Sequence, residues 1–217
     1  MKTDDEIIYL DNNSSTRIDP EVLEEMMPFL TERYGNPSSA HRFGRQVKDA
    51  TKLAHERLAA LLGCQPNEVV FTSGGTESDN TALHSALQMT PDRRHIVTTS
   101  VEHNAVLNYC QTVVSQGCEV TTLEVDDEGH LDLAELERAI RPDTAVVSVM
   151  WANNETGVIN PLEEIAAICR TKGVALHTDA VQTVGKMPID LAGKYLQFLS
   201  LSGHKLHASK GVGALYV

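Results

Sequence analysis

The sequence lacks several features that mark particular classes of protein. Its four cysteines form no Cys-x-x-Cys pair, so we expect free thiols and no disulfide framework. No apolar run approaches the roughly 18 residues of a membrane span, and the acidic start at residues 1–6 has no apolar segment typical of a secretory signal. No basic run accompanies the formal net charge of −12, which argues against nucleic acid or an anionic membrane as a partner. We therefore expect a cytoplasmic protein.

Short β-branched runs recur along the chain, their starts spaced about 22 to 29 residues apart. Segments with helical periodicity separate them, and a strand–helix–strand pattern requires crossover connections. The sequence therefore predicts an α/β fold with a mainly parallel sheet and helices on both faces. The predicted strands cover residues 68–72, 95–100, 119–125, 145–151, 174–178 and 196–201.

Three helix boundaries can be predicted from capping residues. Asp19 precedes Pro20 as the N-cap of an early helix. Asn160 is expected to be the N-cap of a later helix that has Pro161 at its first position and ends at Gly173.

Ligands of open parallel sheets bind beyond the carboxyl ends of the strands, where this sequence is polar. The turn at residues 72–80 contains Gly74 and Gly75 and leads into a helix, which suits a phosphate group, although it could equally be an ordinary turn. His103 follows the second strand near a helix N-terminus, where a neutral ring could stack on an aromatic ligand or merely cap the helix.

Asp179 and Lys205 are 26 residues apart, the length of one strand–helix–strand unit. If their strands are neighbours, both side chains emerge at one edge of the sheet, where they form either a structural salt bridge or part of a site. A lysine, an acid, a flat ring and a phosphate cradle are what pyridoxal 5′-phosphate (PLP) requires. The combination favours a PLP site.

Five motifs in these regions resemble those of cysteine desulfurases, and the NifS-like, nitrogen-fixation branch is the most similar. They are Tyr-Leu-Asp-Asn-Asn (9–13), Gly-Asn-Pro-Ser-Ser (35–39), Phe-Thr-Ser-Gly-Gly-Thr-Glu-Ser (71–78), Asn-Asn-Glu-Thr-Gly (153–157) and Ser-Gly-His-Lys (202–205). The resemblance implies the fold-type-I large domain of class V aminotransferases, with residues 213–217 as an antiparallel seventh strand. Residues 1–16 would be an N-terminal arm that belongs to the small domain in the family, and residues 17–217 the PLP-binding large domain.

The resemblance also implies a role for each site residue. Lys205 would form the Schiff base with PLP, Asp179 would pair with the pyridine nitrogen, and His103 would stack on the ring and relay protons. The other expected contacts are with the phenolic oxygen or substrate, from Asn154 and Gln182, and with the phosphate, from Gly75, Thr76, Ser202 and His204.

The family reaction converts L-cysteine to L-alanine and passes the sulfur, as an enzyme persulfide, to an iron–sulfur scaffold protein. The family works as a homodimer. Ser14 and Ser15 stand where the family usually has Ala and Thr, and Ser209 stands where it often has proline. Family members also continue into a C-terminal small domain that carries the persulfide cysteine and an arginine for the substrate, so the chain is expected to be truncated.

No cysteine of this sequence is assigned a catalytic role. Cys110 and Cys169 lie on apolar helical stripes and are expected in the core. His204 and His207 lack the partners of a metal site, so no metal is expected. Two alternatives remain: another class V enzyme such as a selenocysteine lyase, or a non-enzymatic PLP-binding subunit that needs a second chain.

Overall fold

The computed structural model describes residues 8–217, which form six α-helices and seven β-strands. The acidic start and the first seven residues of the predicted arm lie outside the described residues. The helices are α1 (Pro20–Thr31), α2 (Arg42–Leu62), α3 (Gly75–Met89), α4 (Asn104–Ser115), α5 (Leu133–Ala139) and α6 (Leu162–Lys172). The strands are β1 (Val69–Thr72), β2 (His95–Thr99), β3 (Glu119–Leu123), β4 (Thr144–Ser148), β5 (Ala175–Asp179), β6 (Phe198–Ser202) and β7 (Gly213–Tyr216). No helix within residues 8–217 is long and apolar enough to cross a membrane.

The strands form one sheet in the order β1-β7-β6-β5-β4-β2-β3. Neighbouring strands from β6 to β3 are parallel, while β7 runs antiparallel to both β6 and β1. Because β7 reverses direction between them, β1 and β6 point the same way. The carboxyl ends of all six parallel strands therefore lie at one edge of the sheet. The predicted fold and its antiparallel seventh strand are confirmed.

Each inner strand contributes to two apolar clusters. In β2, Ile96 joins one cluster and Val97 the other, and Val146 and Val147 divide in the same way in β4. Helices α3 and α4 complete the first cluster, and α2, α5 and α6 complete the second. Each fully buried aliphatic side chain contributes about 1.5–3 kcal/mol. The helices cover both faces of the sheet, as predicted.

Two boundary predictions are wrong. The fourth strand was expected to reach residue 151, but its pairing with β2 ends at Ser148. Beyond that point some backbone hydrogen bonds to β5 continue, such as Trp151 N to Asp179 O at 2.9 Å. Asn160 does not cap α6, because its amide donates a hydrogen bond to the carbonyl of Met150 at 2.8 Å. The backbone N-cap of α6 is Pro161 instead.

The other predicted helix boundaries are confirmed. The Asp19 side chain accepts a hydrogen bond from Glu21 N at 2.8 Å and caps α1. Gly173 ends α6 in the left-handed conformation, with φ of 65°.

The predicted arm crosses the carboxyl edge of the sheet. Its Thr16 N and Oγ1 both donate to the carbonyl of His204, each at 2.9 Å, and Asp19 N donates to the carbonyl of His207 at 2.9 Å. These bonds join the beginning of the described chain to the turn that follows β6. The arm therefore lies over the edge where the predicted site residues emerge.

Candidate active site

A cavity of about 720 Å³ opens at the carboxyl edge of the sheet, beneath the arm. All nine residues predicted from the sequence line it, together with residues 10–14 of the arm and Asp79, which sequence reasoning did not select. The nine are Gly75, Thr76, His103, Asn154, Asp179, Gln182, Ser202, His204 and Lys205.

Lys205 ends the 3-10 turn that follows β6. Its Nζ atom donates hydrogen bonds to the backbone carbonyls of Asn13 and of Ser14, the latter at 2.8 Å. Burial and the charge of Lys186 lower the pKa of Lys205, although Asp179 acts in the opposite direction. A lowered pKa increases the fraction of Lys205 that is present as the neutral, nucleophilic amine.

Asp179 is the last residue of β5 and is almost fully buried. Its Oδ1 atom accepts a hydrogen bond from Val181 N at 2.9 Å. Burial raises the pKa of Asp179 well above its usual value, and the neighbouring Asp79 and Glu102 raise it further. Among residues 8–217 no ion pair within 4 Å joins Asp179 to Lys205, so the salt-bridge alternative is not what the structure contains. Such a carboxylate favours a cationic partner in the cavity.

His103 is the N-cap of α4, and its Nδ1 atom accepts a hydrogen bond from Ala105 N at 3.1 Å. With Nδ1 as the acceptor, the proton of the neutral ring sits on Nε2. The ring also lines the cavity, so capping and a role in the site are compatible.

The turn predicted to be an anion cradle lies at the N-terminus of α3. The helix begins at Gly75, where a Cβ atom would lie 3.0 Å from Val181 Cγ2 and 3.6 Å from Ser202 Cβ. The positive end of the helix dipole therefore approaches the strand ends closely. Burial, followed by the charges of Lys205 and Lys210, lowers the pKa of His204 beside it. Positive charge collects at this end of the cavity.

Asn154 and Gln182 contact the arm. Asn13 donates its side-chain amide to the carbonyl of Asn154 at 3.2 Å, and the Gln182 amide donates to the carbonyl of Asn13 at 2.8 Å. Both residues line the cavity, but their polar side chains face the arm and its neighbours rather than the turn at the N-terminus of α3.

The turn that carries Asn154 is fixed by its neighbour Asn153, which sequence reasoning did not select. The buried Asn153 side chain accepts hydrogen bonds from Glu155 N and Thr156 N at 2.8 and 2.9 Å. It also donates to the carbonyl of Val101 at 2.9 Å, which links the turn after β4 to the turn after β2.

Asp79 had a signal in the sequence. It lies on the apolar stripe of α3 with Ala82, Leu83 and Ala86, all of which are buried. A charged residue on a buried stripe is unusual and points to a special environment. The contribution of the arm had no comparable signal, because it comes from residues far away in the sequence.

None of the four cysteines lines the cavity. Cys110 and Cys169 are buried in the two apolar clusters, as predicted. Burial raises the pKa of each of these thiols to about 12. Within residues 8–217, no group of three or more His, Cys, Asp or Glu side chains is arranged to hold a metal ion.

Comparisons with known proteins agree with this architecture. The family model of aminotransferase class V matches residues 8–217. The cysteine desulfurase of Trichormus azollae is 53% identical over 97% of this chain and 53% of its own length. The cysteine desulfurase NifS of Azotobacter vinelandii is 53% identical over 97% of this chain and 52% of its own length.

Solved structures give the same result. One described as a NifS-like protein superposes with a TM-score of 0.94 and 42% identity, over 97% of this chain and 58% of that one. Another, SspA in complex with cysteine, has a TM-score of 0.93 and 39% identity, over 97% of this chain and 61% of that one.

The chain therefore belongs to the aminotransferase class V family, which its fold and site architecture also define. The cysteine desulfurases, including NifS, are the proteins it is similar to, and the resemblance stated from its motifs is confirmed. The chain spans about half the length of the curated relatives it matches.

Proposed function

We propose that this chain is the PLP-binding part of a cysteine desulfurase that acts on L-cysteine. The convergence of Lys205, Asp179, His103 and the N-terminus of α3 in one cavity carries the proposal. We also propose a cytoplasmic location, as expected from the sequence, and a homodimer, as the resemblance to the family implies.

The donor set of the cavity fits PLP. The N-terminus of α3, Ser202 and His204 would hold the phosphate, and the absence of a Cβ at Gly75 lets the start of the helix lie close to Val181 and Ser202. Asp179, at the other end, would hold a protonated pyridine nitrogen, since its burial makes a cationic partner favourable. Asn154 and Gln182 would contact the phenolic oxygen or the substrate.

PLP supplies an electron sink conjugated to the carbon atom of the bound amino acid that loses its proton. Lys205 would anchor the cofactor covalently through Nζ, and its lowered pKa favours this. The His103 ring would stack on the cofactor, and its Nε2 atom would be free to hold or move a proton because Nδ1 caps α4.

The last step of the reaction, transfer of sulfur, needs a thiol that reaches the cavity. The described part of the chain places no cysteine there. We propose that the acceptor thiol is supplied from outside residues 8–217, before sulfur passes to an iron–sulfur scaffold protein. The same absence favours the second candidate, a PLP-binding subunit that is inactive until a second chain completes it.

We likewise propose the domain division at residue 16. The described part of the arm, residues 8–16, is joined to the rest of the chain mainly by bonds to the turn at residues 203–207, and these residues add no strand to the sheet. This is consistent with an element that belongs to a separate small domain.

Borohydride reduction of the PLP-treated chain, followed by peptide mapping, tests the proposal. The expected result is a pyridoxyl label on Lys205 that is lost in Lys205→Ala and kept in Lys186→Arg. A label elsewhere, or none, would contradict it. Release of product from L-cysteine, L-selenocysteine and cysteine sulfinate, with and without an added thiol, then separates a desulfurase from another class V enzyme and from an inactive subunit.

A further inference from the structure

Asp79 is a buried acid to which the roles above assign nothing. It lies in α3, one turn after Gly75, its side chain is 1% exposed, and it lines the same cavity as Asp179 and Lys205. Its Oδ1 atom has no hydrogen-bond partner among the described residues. Burial of a carboxylate without full hydrogen bonding is costly, so the residue needs a physical explanation.

The nearest basic group to Asp79 is His177 of β5. Its Nε2 atom lies 3.4 Å from Asp79 Oδ1, an ion-pair distance without hydrogen-bond geometry. The fully buried ring is held by Ser148 Oγ at Nδ1, 2.8 Å away, and by Ser200 Oγ at Nε2, 3.0 Å away. These serines belong to the strands on either side of β5. Three strands therefore fix the imidazole opposite Asp79.

His177 and Asp179 are two residues apart in β5, so their side chains point to the same face of the sheet, toward α3. The titratable groups that act on Asp179 are Asp79 from α3, Glu102 from the turn after β2 and Lys205 after β6. Burial raises the pKa of Glu102 to about 8, so Glu102 is mostly protonated at pH 7. Asp79, which faces the imidazole of His177 at 3.4 Å, is then the acidic neighbour that acts most strongly on Asp179.

We propose that Asp79 is a positioning residue for the ring-nitrogen end of the site, where its charge makes Asp179 a stronger acceptor for a protonated pyridine nitrogen. Asp79 acts through Asp179 and does not itself need to touch the cofactor. The inference rests on the proposed function, namely PLP binding in this cavity, and deepens it. It also explains why the fold keeps a poorly bonded carboxylate on a buried helix face.

Two cofactors that differ only at the ring nitrogen test the proposal. The purified chain is titrated with PLP and with 1-deazapyridoxal 5′-phosphate, in which a carbon atom replaces that nitrogen, and dissociation constants are measured from the cofactor absorbance. Asp79→Asn is expected to weaken PLP binding about tenfold, the effect of one pKa unit. Binding of the analogue is expected to change less than twofold, because it has no ring nitrogen for Asp179 to hold.

Glu102→Gln is the matched control, because it replaces a buried acid of the same cluster that carries little charge at pH 7. Its ratio of PLP to analogue affinity is expected to equal that of the unmodified chain. Asp79→Ser removes the charge with a smaller side chain and gives the same comparison where the Asn variant unfolds, as judged by circular dichroism.

If the Asp79 variants bind both cofactors more weakly by the same factor, Asp79 has only a structural role and the proposal is overturned. Unchanged binding of PLP in these variants would overturn it too, while leaving the proposed function intact. Failure of the unmodified chain to bind PLP would instead overturn the proposed function and this inference together.

Discussion

The amine of Lys205 donates a hydrogen bond to the backbone carbonyl of Ser14 at 2.8 Å, across 191 residues of sequence. A second bond from the same amine reaches the carbonyl of Asn13. The arm therefore holds the amine of Lys205 and covers the cavity at the same time. A ligand that reacts at Nζ must break these contacts first.

The first prediction concerns how stably the arm stays closed over the cavity. The exposed Tyr9 hydroxyl donates to the carbonyls of Asp11 and Ser15 at 2.7 and 3.0 Å. Because the hydroxyl has one proton, Tyr9→Phe removes one hydrogen bond, shared between two carbonyls of the arm and worth about 0.5–1.5 kcal/mol. The arm should therefore open more often, and PLP should associate several-fold faster. Stopped-flow absorbance measures the rate. Tyr34→Phe, at another exposed tyrosine, is the control, and a Tyr9→Phe rate at or below the control rate would refute the prediction.

The second prediction concerns the pH dependence of stability. Burial raises the pKa of Glu102 to about 8 from 4.5, so between these values the folded state binds the proton and the unfolded state does not. The free energy of unfolding contributed by this group therefore falls as pH rises through that window. Glu102→Gln keeps a neutral acceptor for Thr99 and Met150 N and should remove this part of the slope.

Urea denaturation at pH 5, 7 and 9 measures the effect of Glu102→Gln. The variant should lie within about 1 kcal/mol of the unmodified chain at pH 5. At pH 9 it should be the more stable of the two. Glu135→Gln, at the exposed first turn of α5, serves as the control, and parallel pH curves for all three proteins would rule the idea out.

The third prediction compares the effects of two Gly→Ala substitutions on PLP affinity and on stability. Gly75→Ala places a Cβ 3.0 Å from Val181 Cγ2 at the anion cradle, so PLP affinity should fall about tenfold with little change in stability, since the backbone there is helical. Gly173→Ala meets open space but has φ of 65°, so stability should fall by about 1 kcal/mol with unchanged affinity. Absorbance titration and urea denaturation measure the two quantities. The reverse pattern would contradict the cradle assignment.

The fourth prediction compares two buried amides. Asn153→Ala removes four side-chain hydrogen bonds: two within the turn after β4, one to Met150 Sδ and one to the carbonyl of Val101 in the turn after β2. The loss should cost about 2–4 kcal/mol. Asn160→Ala removes one side-chain bond, to the carbonyl of Met150, and should cost about 1 kcal/mol. Chemical denaturation gives both values. Equal costs would mean that the turn after β4 does not depend on Asn153.

The fold was predictable because its signals are local. The β-branched runs locate six of the seven strands to within about three residues, and the resemblance to the family supplied the seventh. Asp19 marks the start of α1 through its side chain, and Gly173 marks the end of α6 through its backbone conformation. Asn160 misled the prediction because its amide bonds to the carbonyl of Met150, just beyond β4, rather than to the helix that follows it. A long-range hydrogen bond of this kind leaves no periodic pattern in the sequence.

The site was predictable where it follows the ends of strands. Asp179, Ser202 and Lys205 follow from the rule that ligands bind at that edge, and all nine selected residues line one cavity. The position of Asn13 over Lys205 did not follow, because it depends on how the arm folds back over the sheet. The burial of Asp79 could be inferred from its apolar stripe, but its approach to His177 could not.

The pairing of β1 with β7 has a consequence for assembly. In the sheet β1 is bonded only to β7, and Ser78 Oγ of α3 donates to the carbonyl of Ala214 at 3.0 Å, 136 residues away. Contacts between such distant residues are entropically slow to form. During synthesis, the glycine turn at residue 75 can settle into its final place only after the ribosome has delivered residues 213–216. The turn before α3, which the sequence predicts to bind phosphate, is thus among the last parts of the fold to be completed.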